Sequence, residues 1–437
     1  MQGDEMLKDV RERLENMTIY EVRQIAREVK SHLTSGQKGA IIEAILSIAR
    51  GEVELAPQSK RGAPPKSDRY DERLVADVLC CREYFLSLNG GRSENPTMTV
   101  TDSVCAYNAL PEKEYCGYLD WDGRNYFLFG KERVFVSELF VTRFSLRLGD
   151  AVRCKGLKKN AADAAGASEI LTVNGTSVCE PLKRKNFSSL THLYPAMRIN
   201  LSCGDNVSRR MIDLFAPLAL GQRGIISAPA NSGKTTLIKS IAHGICANYR
   251  DFEVIVLTLG TRPEEITEFT KSNDNITYFY TSFDRSDEEH LSRANLAFEY
   301  AKRRVELDKN AVILVDGLYE NVPAEFIKNY LFCAINAEEG GSLTVIAAMP
   351  SDFNYSGVAN TVLSLSSVLA AERTFPAIDI LKSYSGREEI LLNEEERRLS
   401  VALRTKLSHG ETAENIINLF KETKSNAELA ELIKNGR

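Results

Sequence analysis

The segment APANSGKT at residues 228–235 constrains the fold of this chain more than any other part of its sequence. It follows the apolar run RGIIS and precedes TLIKSIAHGICANY, in which apolar residues recur at helical spacing. A loop of small residues between a strand and a helix lets backbone N–H groups converge at the helix N-terminus, where they bind phosphate. The first position is Ala228, although a glycine is usual there. The sequence therefore predicts a P-loop in an α/β domain.

The residues of this loop predict a nucleoside triphosphate and a metal ion as its ligands. Lys234 is expected to bridge the β- and γ-phosphates, and the Thr235 hydroxyl is expected to hold Mg²⁺. About eighty residues later, Asp316 ends the apolar run AVILV, and a carboxylate at that end of a neighbouring strand holds the same Mg²⁺. ATP and Mg²⁺ are thus the predicted cofactors. The predicted nucleotide-binding residues of the loop are Asn231, Ser232, Gly233, Lys234, Thr235 and Thr236.

The length of 437 residues predicts two or three domains. Residues 1–53 have the pattern of short amphipathic helices, with Thr18 as a helix cap. Residues 54–96 contain a linker rich in proline and basic side chains, and then a helical stretch from Asp71 onward. Residues 97–180 are expected to form a β-rich domain, and residues 187–437 the α/β domain.

The two larger domains have different β patterns. Between residues 97 and 180, short β runs such as TMTVTDSVCAY at 97–107, EYCGYLDW, NYFLFG, RVFVSELF and DAVRCKGL are separated by turns. Five or six such strands in about eighty residues predict a small barrel of the OB-fold type, which closes its own edges. After residue 187 the β runs are almost uninterruptedly apolar and alternate with helices. That pattern predicts a parallel sheet covered on both faces.

Composition excludes several other classes of protein. No apolar run approaches the ~20 residues of a membrane span, and the N-terminus is too polar for a signal peptide, so we expect a cytoplasmic protein without membrane contact. Nine cysteines without a C-x-x-C pair favour free thiols over a zinc site or a disulfide framework. Because the net charge is −5, any nucleic-acid surface must be local.

Several segments resemble the bacterial transcription termination factor Rho family in order and spacing. They are LTHLYP at 190–195, LALGQRGIISAP at 218–229, RPEEITE at 262–268, SFDRSDEEH at 282–290, EEGGSLTVIAA at 338–348 and ERTFPAID at 372–379. GYLDW and RVFVSELFVTRFSLRLGDAV are similar to parts of the RNA-binding barrel of that family. The resemblance implies a RecA-type P-loop ATPase domain behind an OB-fold or cold-shock-like barrel and an N-terminal helical module.

The resemblance also implies roles for individual residues. Phe375 would stack on the adenine, and Arg262 would lie by the phosphates. The residues that would help to frame the nucleotide are Leu220, Gly221, Gln222, Arg223 and Gly224. In the barrel, single-stranded RNA would be held by stacking and by charge at Tyr118, Trp121, Arg133 and Phe135.

One departure from the family concerns the base that activates water. The family has an acidic pair directly before RPEE, and its second member is the catalytic glutamate, whereas this chain has Gly260 and Thr261. A hydroxyl has no suitable pKa to act as a base, and loss of the carboxylate removes about 10²- to 10⁴-fold in rate. Glu264 and Glu265 are the candidate replacements in the sequence.

Other departures concern the arginine finger and the loops that contact RNA. Gly386 stands at the finger position, and Arg387, one residue later, is the candidate for that role. Only 21 residues lie between Asp316 and Glu338, where the family has a longer glycine-rich loop. The following loop contains no lysine in MPSDFNYSGVANTVLSLSSVL, so both translocation loops look absent.

Two functions remain open at this point. The first is a Rho-type ring hexamer that binds nascent single-stranded RNA, acts as an ATP-dependent translocase or helicase, and has RNA polymerase as a possible partner. The second is a catalytically impaired paralogue that binds nucleotide and RNA as a regulator, or as a non-hydrolysing subunit in a mixed ring with a complete Rho. A rotary-type or recombinase subunit would share the ATPase fold, but the helical module and the barrel argue against it.

Overall fold

The computed structural model describes residues 2–29, 37–50, 112–158, 164–177, 184–272 and 275–435, with single positions between residues 31 and 82. Contacts divide the chain into two units, residues 1–111 with 157–163, and residues 112–156 with 164–437. The predicted linker at residues 54–69 and the first predicted β run, at residues 97–107, lie outside the described residues.

The first unit contains helices α1 (Gln2–Asn16), α2 (Ile19–Glu28) and α3 (Lys38–Ala49). Thr18 caps α2 as the sequence predicted, because its hydroxyl accepts from the Glu21 amide while the Thr18 amide donates to the Glu21 carboxylate at 2.7 Å. Buried side chains from all three helices, among them Leu14, Val22 and Ile41, form one apolar core. The helical pattern of this segment is therefore present in the structure.

The second unit begins with a barrel. Its elements are β1 (Lys113–Trp121), β2 (Tyr126–Gly130), β3 (Val134–Val136), α4 (Glu138–Arg143), β4 (Ala151–Leu157), β5 (Ala165–Val173) and β6 (Thr176–Ser177). The strands pair in the order β3-β2-β1-β4-β5-β6, and β3 also pairs with β5, so the sheet closes on itself. Leu119, Leu128 and Val152 lie in its apolar centre. The predicted small barrel is confirmed.

One predicted β run of the barrel is wrong in its second half. RVFVSELF continues as a strand only to Val136, and the helix α4 then begins. Ser137 causes the change, because its hydroxyl accepts a hydrogen bond from the Leu139 amide at 3.3 Å and so caps the helix. An apolar run does not by itself separate a strand from a short helix.

The rest of the unit is an α/β domain. Its strands are β7 (His192–Leu193), β8 (Arg198–Ile199), β9 (Leu218–Ala219), β10 (Arg223–Ser227), β11 (Glu253–Thr261), β12 (Ile276–Ser282), β13 (Ala311–Asp316), β14 (Ile335–Ala337), β15 (Ser342–Met349), β16 (Thr361–Ser364) and β17 (Tyr384–Ser385). Its helices are α5 (Val207–Phe215), α6 (Lys234–Asn248), α7 (Pro263–Ser272), α8 (Asp287–Val305), α9 (Leu318–Asn321), α10 (Ala324–Phe332), α11 (Ser367–Ala371), α12 (Glu388–Leu391), α13 (Glu394–Ser408), α14 (Ala413–Glu422) and α15 (Asn426–Lys434).

The main sheet of this domain has the order β12-β11-β13-β15-β10-β16-β17. Strands β12 to β16 along this path run parallel, and β17 is antiparallel to β16. Every residue of β13 and β15 is buried, since the sheet has an apolar core on each face. The predicted parallel sheet is confirmed, and the carboxyl ends of its strands meet at one edge, where open α/β sheets bind ligands.

Helix α8 joins the barrel to this sheet. The Arg293 guanidinium carbon lies 3.3 Å from the centre of the Phe129 ring of the barrel. The Tyr118 ring of β1 lies 4.9 Å from the Tyr300 ring of the same helix. Just beyond the end of α8, the buried Glu306 carboxylate pairs with Arg147 of the barrel at 2.8 Å. The barrel and the helix therefore share both apolar and charged contacts.

The other end of α8 lies near the end of strand β11. His290 Nδ1 lies 2.6 Å from the Thr281 hydroxyl oxygen, and both side chains are buried. The Gly260 amide donates to the same hydroxyl at 3.3 Å. One helix thus contacts the barrel and also positions the backbone beside Thr261.

The free thiols of the described residues differ in their surroundings. Cys154 is buried in the barrel, and burial raises the pKa of its thiol to about 12. Cys116 on the neighbouring strand is exposed. Within the described part of the chain, no helix combines the length and the apolar character that a membrane span needs.

Candidate nucleotide-binding site

The loop at residues 228–233 joins β10 to α6 with two residues in the left-handed region. Asn231 has φ 59° and Gly233 has φ 86°, and Gly233 directly precedes the first turn of α6. The Ser232 hydroxyl donates to the Pro229 carbonyl at 2.7 Å, which fixes the turn from within. Such a turn presents successive N–H groups to an anion at a helix N-terminus. The P-loop geometry predicted from the sequence is present.

Three predicted residues come together at the start of α6. The Thr235 hydroxyl donates to Asp316 Oδ2 at 2.7 Å, although 81 residues separate the two positions. Asp316 Oδ1 is buried, accepts no hydrogen bond of good geometry within the described residues, and lies 3.3 Å from Lys234 Nζ. The predicted Thr236 is exposed on the next position of the helix. This cluster places an ammonium, a hydroxyl and a carboxylate beside the loop amides.

A third charged group, missed by the sequence analysis, also contacts Lys234. Glu320 Oε1 lies 3.5 Å from Lys234 Nζ, and its side chain is 51% exposed. Burial alone would lower the pKa of Lys234, but the carboxylates of Asp316 and Glu320 outweigh it and raise that pKa above its usual value. The only sign of Glu320 in the sequence is its position four residues after Asp316, and that position alone is a weak indication of a site residue.

Phe375 lies over the P-loop. A Cβ atom built on Gly233 would be 3.7 Å from Phe375 Cε1, and the Phe375 side chain is 44% exposed. An aromatic ring beside the phosphate-binding turn, with an open face, is suited to stack on a base. Its role as the adenine contact stays a prediction.

The five residues expected to frame the nucleotide do not reach the P-loop. Leu220, Gly221, Gln222, Arg223 and Gly224 lie at the amino end of β10, about 16 Å along the strand from the loop at its carboxyl end. Gln222 is buried and its amide donates to the Ser385 hydroxyl at 2.9 Å. A Cβ on Gly221, at φ 75°, would lie 2.3 Å from the Asn336 backbone nitrogen. Within one subunit these residues pack the opposite edge of the sheet, and their role in framing a nucleotide stays a prediction.

The carboxyl end of β11 carries the departure at Gly260 and Thr261. Gly260 has φ 63°, and a Cβ there would lie 2.7 Å from Asn321 Oδ1. Asn321 Nδ2 donates to the Leu259 carbonyl at 3.3 Å and to the Gly317 carbonyl at 2.8 Å. The short helix α9 therefore occupies the space beside the altered strand end.

The predicted residues that follow this strand end lie at the start of α7. Arg262 directly precedes the helix and is exposed, as is Glu264, and Glu265 is half-buried. Their roles at the phosphates and at the attacking water stay predictions. Arg387, the candidate arginine finger, lies near the amino end of the sheet with its guanidinium carbon 4.2 Å from the centre of the Tyr194 ring. Arg387 is therefore remote from the P-loop of its own chain. An arginine finger that acts on a neighbouring subunit must have such a position.

The predicted RNA-binding residues of the barrel fall into two groups. Trp121 is 43% exposed and lies 4.5 Å from the Tyr126 ring, and the Arg133 guanidinium carbon lies 3.9 Å from the centre of Phe127. Phe135 pairs with Phe127 across β2 and β3, so these side chains border one surface. Phe127 was missed because its run NYFLFG was predicted only as a strand.

Tyr118 lies elsewhere in the barrel. Its ring is 4.8 Å from Phe279 and 4.9 Å from Tyr300, both in the α/β domain. Burial raises the pKa of the Tyr118 phenol to about 12. These contacts pack Tyr118 between the barrel and the sheet, and its predicted role in RNA binding stays a prediction.

The chain is similar to several known proteins. The family described as ATP synthase alpha/beta family, nucleotide-binding domain, matches residues 208–325. The transcription termination factor Rho of Bacillus subtilis (strain 168) is 34% identical over 339 residues, which cover 69% of this chain and 78% of that protein. The Rho of Thermotoga maritima is 36% identical over 336 residues, with the same coverage of 69% and 78%. Among solved structures, a prototypical ATPase from the type III secretion system of pathogenic bacteria is 21% identical, covers 58% of this chain and 82% of that chain, and has a TM-score of 0.43.

Proposed function

The chain belongs to the Rho family of transcription termination factors, and from this premise we propose that it works as a Rho-type, ATP-driven RNA translocase in the cytoplasm. In this proposal, subunits assemble into a ring, the barrel captures single-stranded RNA that leaves RNA polymerase, and ATP hydrolysis moves the ring along that RNA. The cluster of Lys234, Thr235 and Asp316 beside the P-loop is the observation that carries the proposal.

Each member of this cluster has a distinct task. Lys234 would leave its carboxylate partners and neutralise the β- and γ-phosphates, while the loop amides hold the remaining oxygens. Phe375 would cover the base, and the left-handed turn at Gly233 would keep the phosphates against the start of α6. The arrangement would bind a nucleoside triphosphate with its phosphates at the loop and its base against the Phe375 ring.

The donor set also suits Mg²⁺. Asp316 Oδ1 is buried without a well-formed hydrogen bond in the described residues, and Asp316 Oδ2 already holds the Thr235 hydroxyl. Oxygen donors of this kind are those that Mg²⁺ prefers. The ion would neutralise the charge of the phosphates, and Thr235 and Asp316 would hold it.

RNA binding is supported by the surface around Arg133. Phe127 and Phe135 provide aromatic rings beside this cation, and bases of any sequence stack on such rings. The exposed Trp121 lies on the neighbouring strand β1. Because Arg133 also pairs with Asp122, RNA phosphate would compete with that carboxylate for the guanidinium. We infer that this surface, rather than Tyr118, is the RNA-binding part of the barrel.

The experiment measures ATP turnover and ATP binding by the purified protein, with and without poly(C) RNA. We expect turnover that RNA stimulates, and we expect Lys234→Ala to weaken ATP binding by about 2–4 kcal/mol, since the phosphates lose their cation. Lys328→Ala, an exposed lysine on α10, is the matched control and should bind ATP as the unaltered protein does.

The outcomes separate the two functions that the sequence left open. RNA-stimulated turnover supports the translocase. ATP binding without turnover would contradict it and would identify the non-hydrolysing form. Equal ATP affinity in the protein and in Lys234→Ala, measured by calorimetry, would contradict the site itself.

A further inference from the structure

We propose that Glu320 is the general base that activates the attacking water, in place of the carboxylate that the Rho family carries where this chain has Thr261. The inference rests on the proposed function, because it names the residue that completes that function's hydrolytic site.

The position of Glu320 follows from the turn after Asp316. Gly317 has φ 77°, and a Cβ there would lie 2.2 Å from the Leu259 carbonyl oxygen, so only glycine fits. The chain therefore turns sharply at the end of β13 and enters α9, which presents Glu320 to Lys234. Since Lys234 is the lysine expected to bind the β- and γ-phosphates, a carboxylate 3.5 Å from its Nζ is close to the γ-phosphate that water attacks.

The same turn explains the altered end of β11. Asn321, the neighbour of Glu320, packs against Gly260, where a side chain would collide with it, and bonds to the Leu259 carbonyl. A side chain at Gly260 would therefore require Asn321 to move, so this contact links the end of β11 to the helix that carries Glu320.

Other carboxylates near the loop are less suited to the role. Asp316 is buried and accepts the Thr235 hydroxyl, which commits it to the metal. In the described residues, the ion pairs of Lys234 are with Asp316 and Glu320 alone. Since Glu320 is half exposed, it reaches both the site and solvent, and it can pass a proton from one to the other.

The reaction at Glu320 balances without a further reagent. The Glu320 carboxylate accepts a proton from water as the water oxygen bonds to the γ-phosphorus. The bond from that phosphorus to the β–γ bridging oxygen breaks, and its electron pair leaves with ADP. The products are ADP and inorganic phosphate, and the proton on Glu320 passes to solvent.

The test compares Glu320→Gln with the unaltered protein and with Glu325→Gln, an exposed glutamate in the first turn of α10. Three quantities are measured: the ATP dissociation constant by calorimetry, the RNA-stimulated turnover, and the ratio of ATP to ADP in nucleotide released from the denatured protein. Thermal unfolding of all three proteins checks that each is folded.

For Glu320→Gln we expect ATP affinity to be retained or increased, because Lys234 loses a competing carboxylate. Turnover should fall by about 10²- to 10⁴-fold, and the bound nucleotide should remain ATP where the unaltered protein accumulates ADP. Glu325→Gln should match the unaltered protein in all three measurements.

Three results would overturn the inference. If Glu320→Gln keeps its turnover while the unaltered protein is active, Glu320 is only an ion-pair partner of Lys234, and the proposed function stands. If Glu320→Gln loses ATP binding as Lys234→Ala does, Glu320 belongs to binding and not to water activation. If the unaltered protein binds ATP without turnover, the hydrolytic part of the proposed function fails together with the inference.

Discussion

The two sides of the nucleotide site differ in how much of the family's chemistry they keep. On the first side, the loop after β10 and the end of β13 bring together Lys234, Thr235 and Asp316 within hydrogen-bond or ion-pair distance. On the second side, β11 ends in Gly260 and Thr261, where the family has carboxylates, and α9 packs against that end. Triphosphate binding and water activation therefore depend on different elements, and one can change while the other is kept.

The residues of the second side are coupled through one side chain. Asn321 contacts both Gly260 and Gly317, so a substitution at either glycine alters the space available to Asn321. Substitutions on this side test whether the contacts are as close as the structure places them.

The largest expected effect is that of Gly317→Ala. The added methyl group meets the Leu259 carbonyl at 2.2 Å in a left-handed conformation, so we expect a loss of about 2–4 kcal/mol in the free energy of unfolding, measured in urea. Gly175→Ala is the matched control, because Gly175 has a similar φ of 85° with nothing within 4 Å of the added atom. It should lose only about 1 kcal/mol, and equal losses in the two variants would contradict the close contact.

A smaller effect is expected when the family's acidic residue is restored by Gly260→Asp. The side chain would collide with Asn321, which should lower the free energy of unfolding by about 2 kcal/mol. In the double variant Gly260→Asp with Asn321→Ala, the space is open, and a part of that loss should disappear. Strictly additive losses in this double-mutant cycle would show that the two positions are independent. That result would contradict the close contact between Gly260 and Asn321 on the second side of the site.

The smallest expected effect is on the affinity of the barrel for RNA. Trp121→Ala should weaken binding of single-stranded RNA by about 1 kcal/mol, because one base loses its stacking partner. Tyr20→Ala, which removes an exposed ring from α2, is the control for loss of an aromatic surface. Fluorescence anisotropy with a short labelled RNA measures both variants, and the same affinity in both would contradict the barrel surface.

The sequence predicted the parts of the site that depend on local pattern. The P-loop and Asp316 follow from strand and helix spacing, and the structure has them together. The family resemblance assigned Phe375 to the adenine, and the structure has this ring near Gly233, but the adenine contact stays a prediction. The resemblance could not show that Gln222 and its neighbours lie at the other end of β10, because it places residues along the chain and not at one end of a strand. Glu320 was missed for a related reason: its contact with Lys234 spans 86 positions and depends on the turn at Gly317.

Helix α8 has a mechanical consequence. Arg293 holds Phe129 of the barrel at one part of this helix, and His290, one turn earlier, holds Thr281, whose hydroxyl accepts from the Gly260 amide. Force on an RNA strand bound by the barrel would therefore be transmitted through one helix and these two side-chain contacts. It would act on the backbone at Gly260, next to the proposed site of hydrolysis. Movement of RNA and ATP turnover would then be coupled within each subunit, without a contribution from a neighbouring subunit of the ring.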